Sequence, residues 1–198
     1  MTLRPDLKLI ADLIEPGSRV LDVGCADGAL LDYLATTRGV DGRGLELSQQ
    51  GVNACVAKGL FVIQGDADSD LHEYPDQSFD YVVLSKTLQA VHRPRDLLVD
   101  LLRIGKRAVV TIPNFGHWRV RLDLLRRGRM PVTKTLDKSW YDTSNIHFCT
   151  IADLFDLIEA ESIKVRQFVP HTSGGERRSY GRIRANWLAD QALFLLEN

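Results

Sequence analysis

The stretch VLDVGCADG, residues 20–28, decides the fold of this chain. Its apolar start is typical of a buried strand, and residues 29–36 carry apolar side chains at helical spacing. Gly24 and Gly28 therefore lie in a turn between a strand and a helix, where a Cβ atom would block the approach of a ligand. The first N–H groups of the helix are available to an anion. The sequence predicts a nucleotide-binding turn at the head of an α/β sheet.

Outward from this turn, apolar runs alternate with amphipathic segments along the whole chain. Helices are predicted at 5–14, 29–36, 49–58, 94–102 and 151–160. Strands are predicted at 19–23, 42–47, 61–64, 79–85, 107–112, 164–169 and 192–196. This order predicts one Rossmann-like α/β domain over residues 1–198, with a seven-stranded, mostly parallel sheet and helices on both faces. Because the sequence indicates no long helix between the last two strands, we expect the last strand to be antiparallel.

The composition excludes several classes of partner. Lys and Arg total 25 against 26 Asp and Glu, a net charge of −1, so neither nucleic acid nor a membrane is predicted to bind. The first residues carry no apolar signal region, and no stretch approaches the roughly 20 apolar residues that span a bilayer. Cys25, Cys55 and Cys149 lie far apart without a Cys-x-x-Cys pair, which disfavours a disulfide framework or a zinc site. We expect a soluble protein of the reducing cytoplasm.

Acidic residues follow the next two strands, at positions that suit a nucleoside. Glu46 stands 22 residues after Gly24, where a carboxylate can accept hydrogen bonds from both ribose hydroxyls. Asp66, beside the backbone of Ala67, is placed to accept from an adenine amino group. Asp22 either orients the ligand's amino group or staples the turn. Since carboxyl ends of parallel strands meet at one crevice, we expect these groups to converge there. The full predicted ligand set is Asp22, Gly24, Cys25, Ala26, Gly28, Glu46, Leu47, Asp66, Ala67 and Ser85.

The turn favours S-adenosylmethionine (SAM) over a nicotinamide cofactor. A dinucleotide fingerprint needs Gly-x-Gly-x-x-Gly, whereas residues 24–29 read GCADGA and lack two of its three glycines. No Tyr-x-x-x-Lys pair occurs in the chain, and Asp-x-Gly at the strand end is the pattern seen in methyltransferases. In a SAM site, the anion at the helix N-terminus would be the α-carboxylate of the ligand.

After Pro113 the alternation breaks, since about 35 residues precede the next predicted helix, and loops of that length are usually functional. We interpret residues 113–147 as a specificity or docking insert. Five arginines lie within 119–129, interleaved with Trp118 and leucines at helical spacing. This segment is either a docking face for an acidic partner or a solvated amphipathic helix. His117 and His147 bracket the insert as candidate bases, but a structural role is favoured, and no catalytic residue or metal site is predicted.

Several sequence blocks resemble the class I SAM-dependent methyltransferase fold and, more narrowly, the methionine biosynthesis protein MetW family. The blocks are the turn at 20–28, DQSFDYVVLS at 76–85 with TLQA at 87–90, PNFGHWR at 113–119, GRMP at 128–131, and WYDT at 140–143 with NIH at 145–147. Together they cover nearly the whole chain. The last two lie in the insert, which a generic methyltransferase would not share.

The resemblance implies an unusual function for a methyltransferase fold. Proteins similar to MetW are required partners of homoserine O-acyltransferase, the acylating enzyme of methionine synthesis. The resemblance therefore implies that the fold supports this partner or senses SAM or S-adenosylhomocysteine. Ala26 departs from the family pattern, where glycine is usual, and its methyl group is placed to crowd the methionine part of SAM. The alternative is an active SAM-dependent methyltransferase acting on a small molecule. The residues assigned to the partner are Trp118, Arg119, Arg121, Trp140 and Tyr141.

Overall fold

The computed structural model describes residues 3–133, 136 and 138–198. Its strands are β1 (Arg19–Val23), β2 (Asp41–Glu46), β3 (Phe61–Gln64), β4 (Phe79–Ser85), β5 (Gly105–Pro113), β6 (Lys164–His171) and β7 (Gln191–Glu197). They form one seven-stranded sheet in the order β3-β2-β1-β4-β5-β7-β6. The pairs among β1 to β5 are parallel, whereas β7 runs antiparallel to both β5 and β6. The predicted class I methyltransferase-type sheet with an antiparallel last strand is confirmed.

The helices are α1 (Pro5–Ala11), α2 (Ala29–Arg38), α3 (Gln49–Ala57), α4 (Pro94–Ile104), α5 (Trp118–Arg127), α6 (Ile151–Ala160) and α7 (Arg182–Leu188). Helix α1 ends three residues earlier than predicted, and the other predicted bounds differ by at most two residues. Helix α5 is the helix that the spacing of Trp118 and the leucines indicated, whereas α7 was not predicted. Helix α5 occupies the predicted insert, and the short α7 precedes β7. None of the described helices is long and apolar enough to cross a membrane.

Two hydrophobic cores cover the two faces of the sheet. One core joins α4 and α6 to the sheet, and its centre is an aromatic group in which Phe155, Phe168 and Phe194 have ring centroids 5.0 to 5.1 Å apart. The other core packs α1 and α2 against the opposite face, with Ile10 and Leu34 fully buried. Helices on both faces are therefore confirmed.

The connection from β3 to β4 contains little helix. Residues 65–78 contain only a three-residue 3-10 helix, Leu71–Glu73. The ladder pairs Phe61 with Arg43 and Ile63 with Leu45, so these side chains share the sheet face of the α4 core. The outer end of that face is left open to solvent at β3.

Candidate functional site

The turn after β1 has the backbone geometry that the glycines predicted. Gly24 and Gly28 have φ of 75° and 72°, in the left-handed region that glycine adopts readily. A Cβ at Gly24 would lie 2.8 Å from Thr87 Oγ1, and one at Gly28 would lie 2.5 Å from Leu60 Cδ1. A residue with a Cβ would therefore be strained in its backbone at either position and would require the Thr87 or Leu60 side chain to shift.

Ala26, between the two glycines, also has a left-handed conformation, with φ of 50°. For a residue with a Cβ this conformation costs about 1–2 kcal/mol. The side chain is exposed, so the methyl group meets no crowding from the described residues. A glycine, which the family resemblance implies is usual at position 26, would adopt this backbone conformation without that cost and would leave more space for a ligand.

Glu46, the last residue of β2, ties the turn to α3. Its Oε2 accepts the N–H of Ala26 at 2.9 Å, and its Oε1 accepts the N–H and hydroxyl of Ser48 at 2.8 and 2.7 Å. The Ser48 hydroxyl oxygen in turn accepts the N–H of Gly51, which makes Ser48 the N-cap of α3. A carboxylate has about four acceptor positions, so one remains for a ligand hydroxyl.

Asp22 lies beside the turn with its carboxylate almost wholly buried, at 3% exposure. No described residue donates a hydrogen bond to this carboxylate. Burial, with a smaller contribution from the negative charge of Glu46, raises the pKa of Asp22 to about 7. A buried carboxyl without a donor is the counterpart that a ligand ammonium group needs.

The predicted adenine side of the crevice adjoins Glu46 through the backbone. The N–H of Gly65 donates to the Glu46 carbonyl at 3.1 Å, which brings Asp66 next to the end of β2. Asp66 Oδ1 accepts the N–H of Asp68 at 2.9 Å and so shapes its own turn. Ala67 is half-buried against the α4 core.

The remaining predicted ligand residues have different surroundings. Leu47 is 66% exposed at the mouth of the crevice. Ser85 ends β4, and its hydroxyl oxygen lies 3.4 Å from that of Thr111 rather than in contact with the turn. The Cys25 thiol is buried 3.8 Å from Cys55 Sγ, and burial raises its pKa, so it is a protonated thiol at neutral pH.

Two residues that the sequence did not indicate also support the turn. The Lys58 ammonium donates to the Asp27 carbonyl at 2.6 Å and to its carboxylate at 3.0 Å. Gly51 allows α3 to approach, since a Cβ there would lie 2.7 Å from Glu46 Cγ. Lys58 and Asp27 are 31 residues apart, and no short sequence motif marks such a contact.

The fold, the turn and the order of the acidic groups agree with the match of residues 4–196 to the family model described as Methionine biosynthesis protein MetW. The chain belongs to the MetW family. The bifunctional methionine biosynthesis protein MetXA/MetW of Rhodopirellula baltica is 36% identical over 167 residues, which are 80% of this chain and 27% of that protein.

Two further similarities concern methyltransferases. A fatty-acid O-methyltransferase of Mycolicibacterium smegmatis is 38% identical over 93 residues, 44% of this chain and 33% of that enzyme. A crystal structure of a SAM-dependent methyltransferase from Archaeoglobus fulgidus superposes with a TM-score of 0.68 at 16% identity, covering 97% of this chain and 91% of that one. The similarity to the Archaeoglobus fulgidus structure shows the fold alone. The chain spans about a third or less of the length of each of these two curated relatives.

The MetW insert is anchored by Asn114, which is 2% exposed at the end of β5. Its amide nitrogen donates to three carbonyls at the end of α7, those of Ala185, Asn186 and Ala189, at 3.4, 3.0 and 2.8 Å. Its amide oxygen accepts the N–H groups of Gly116 and Ile151 at 2.9 and 3.3 Å. One side chain therefore connects the start of the insert, α6 and α7.

A second anchor joins two of the sequence blocks that carry the MetW resemblance. The carbonyl of Gln89 accepts the N–H groups of Ile146 and His147 at 2.8 and 2.9 Å. The end of the insert is thereby attached beside the carboxyl end of β4.

Helix α5 presents most of its side chains to solvent. Val120 is its only buried residue, whereas Leu125 is 84% exposed. The Arg119 guanidinium lies over the Trp118 ring at 5.3 Å, and that of Arg121 lies 4.4 Å from the Trp187 ring of α7. The surface is therefore both basic and aromatic.

Trp140 and Tyr141, in the second half of the MetW insert, are also exposed. Their exposed fractions are 71% and 70%, and the two rings form an edge-to-face pair with centroids 5.7 Å apart. Parts of the insert, Lys134, Thr135 and Asp137, lie outside the described residues. We define the α5 surface as Trp118, Arg119, Arg121, Leu125, Arg126 and Arg129, all of which are exposed, and we treat Trp140 and Tyr141 as a separate exposed aromatic pair of the insert.

The two histidines of the insert differ in environment. His117 Nδ1 accepts the N–H of Arg119 at 3.2 Å as the N-cap of α5, and its Nε2 lies 3.5 Å from Asp190. Burial lowers the pKa of His117, which favours the neutral ring, and the contacts of both nitrogens are those of a structural residue. His147 is exposed. Among the described residues no three His, Cys, Asp or Glu side chains are grouped as a metal site requires.

Proposed function

We propose that this chain is an accessory protein of methionine biosynthesis that binds homoserine O-acyltransferase and makes it active in the cytoplasm. The observation that carries the proposal is the α5 surface. A solvated amphipathic helix would bury its apolar side chains, but α5 buries only Val120 and exposes Leu125. Exposed tryptophan, tyrosine and arginine are the residues that most often anchor protein interfaces.

The charge of the surface indicates an acidic partner. Asp123 pairs with Arg127 at 3.0 Å, whereas Arg126 and Arg129 form no ion pair with any described residue. The whole chain is nearly neutral, so this local excess of positive charge would orient the encounter with an acidic patch.

The relative from Rhodopirellula baltica supports the same partner. Its name joins MetXA and MetW in one protein, of which this chain covers 27%. We take the MetXA part to be the acyltransferase that the family resemblance implies. Where the two are separate polypeptides, a surface such as that of α5 would replace the covalent connection.

Mixing the two purified proteins tests the proposal. We expect them to co-elute in size-exclusion chromatography and the acyltransferase activity to rise when this chain is added. Replacing Trp140 and Tyr141 together with alanine should weaken the complex at least about tenfold, since interface aromatics often contribute more than 1 kcal/mol each. Val56→Ala, at an exposed position of α3, is the matched control. Separate elution with unchanged activity contradicts the proposal.

We infer in addition that the crevice at the turn holds SAM or S-adenosylhomocysteine. The N-terminus of α2 suits the ligand carboxylate, Asp22 suits its ammonium group, and the remaining acceptor position of Glu46 suits a ribose hydroxyl. In this role SAM would report the end product of the pathway to the acyltransferase complex. Calorimetric titration with SAM and with S-adenosylhomocysteine measures this occupancy, and S-adenosylhomocysteine formation in the presence of the partner would instead indicate a methyltransferase.

A further inference from the structure

The free edge of the sheet at β3 has an exposed apolar surface. Phe61 and Ile63 are 65% and 61% exposed and point to the same side of the strand. Among the described strands, β3 pairs only with β2. Alternate residues of a strand direct both backbone groups to the same side, so two of its four residues have N–H and C=O groups directed outward.

This edge has few of the features that usually protect a free strand, apart from the shortness of β3, which has four residues. Edge strands are commonly protected by lysine, proline, a bulge or a covering helix, because unpaired backbone groups template further pairing. The sequence of β3 is FVIQ, without charge or proline. The 3-10 helix Leu71–Glu73 leaves an open groove of about 450 Å³ beside it, lined by Phe61, Ile63, Tyr74 and Phe79.

The charged side chains around the groove lie in ion pairs. Arg43 lies 3.4 Å from Asp41 and covers part of the Phe61 ring at 4.7 Å. Arg19 lies 4.0 Å from Asp80. Asp80 also pairs with Lys106 at 2.7 Å, so the charged side chains beside the groove lie in ion pairs and leave only a small net charge to oppose a second copy.

We propose that two copies of this chain associate through β3, with the two strands antiparallel across a twofold axis so that the sheets join. A twofold interface brings the same surface of each copy together, and the groove with its paired charges and the uncharged strand satisfy that condition. Outward N–H and C=O groups of one copy would pair with those of the other, and Phe61 and Ile63 would lose their contact with water.

The α5 surface provides the contrast that favours a second copy here. Its unpaired arginines would face one another in a symmetric contact, so it fits a different, acidic protein. The β3 surface has no such charge. The inference does not depend on the identity of the acyltransferase partner.

The mass of the full chain in solution tests the inference. Sedimentation equilibrium over a series of concentrations should show a species of twice the 22.2 kDa chain mass. Ile63→Lys and, separately, Phe61→Lys place a charge at positions that are already exposed, so the fold is retained while the dimer dissociation constant rises on the order of 100-fold. Leu125→Lys on α5 is the matched control and should remain dimeric.

Hydrogen exchange locates the contact. Amides of residues 61–64 should exchange more slowly as the chain concentration rises, and this change should be absent in Ile63→Lys. A mass of one chain at the highest soluble concentration overturns the inference. A dimer that both lysine variants leave intact also overturns the inference, because the contact would then lie elsewhere. If the natural chain is monomeric and both variants lose acyltransferase binding, the β3 edge belongs to that partner instead.

Discussion

Asp22 illustrates a conflict between stability and ligand binding at a single residue. Its carboxyl is buried without a hydrogen-bond donor, and burial raises its pKa from 3.8 to about 7. The folded chain therefore favours the protonated carboxyl, whereas the unfolded chain ionises near pH 4. The stability of the folded state is unaffected by this group below pH 4 and falls as the pH rises toward 7.

We expect Asp22→Asn to stabilise the ligand-free chain, and more strongly at pH 8 than at pH 5. The shift of about three pKa units sets an upper limit of about 4 kcal/mol for the gain at pH 8. Urea unfolding of the variant and the natural chain at both pH values measures the difference, with the exposed Asp156→Asn as control. The same variant should bind SAM more weakly, because it cannot pair with the ligand ammonium. An equal change in stability at both pH values would contradict this account.

At the residue scale, the sequence predicted the groups whose role follows from spacing. Gly24 and Gly28 stand where a strand–turn–helix segment needs left-handed backbone, and Glu46 ends the neighbouring strand. The contact of Glu46 with the N–H of Ala26 was not predictable, because it depends on the conformation of the turn and of the Glu46 side chain. Nor was the pair of Lys58 and Asp27, which only the packing of α3 brings together.

At the scale of elements, the bounds follow the periodicity closely for the helices that bury an apolar face. Helix α6 begins as predicted, with a capping box between Thr150 and Asp153. Helices α5 and α7 bury one residue each, Val120 and Ala185, so the helical spacing of Trp118 and the leucines in α5 does not mark a buried face. Their positions depend on tertiary contacts, chiefly those of Asn114.

We therefore expect Asn114→Ala to lower the free energy of unfolding by about 2–4 kcal/mol, because it leaves several buried backbone groups without partners. The insert should also be cut faster by trypsin at its arginines, since its attachment to α7 is lost. Urea unfolding and limited proteolysis measure the two effects. Asn53→Ala is the control, because Asn53 is exposed and accepts one hydrogen bond from Gln49. Equal effects of the two substitutions would show that Asn114 does not hold the insert.

At the scale of the whole molecule, the sheet separates the two proposed contact surfaces. The free edge is β3, whereas α5 follows β5, four strand spacings or about 19 Å away at 4.8 Å per strand. The crevice proposed to hold SAM lies between them, at the carboxyl ends of β1 and β2. The β3 surface was not predictable from strand periodicity, because it results from the lack of a covering helix. The α5 segment was one of two interpretations of the sequence, and the structure adds that Val120 is its one buried residue.

This separation predicts that the two contacts are independent. Ile63→Lys should be monomeric on its own yet bind and activate the acyltransferase as the natural chain does, because no residue of the α5 surface is changed. Replacement of Trp118 and Arg119 with alanine should have the opposite result, a chain that remains dimeric but activates the acyltransferase at least about tenfold less effectively. Sedimentation of each variant and acyltransferase assays with each variant measure both properties. Loss of both properties in either variant would mean that the two surfaces are coupled, and that self-association is part of how the chain engages its partner.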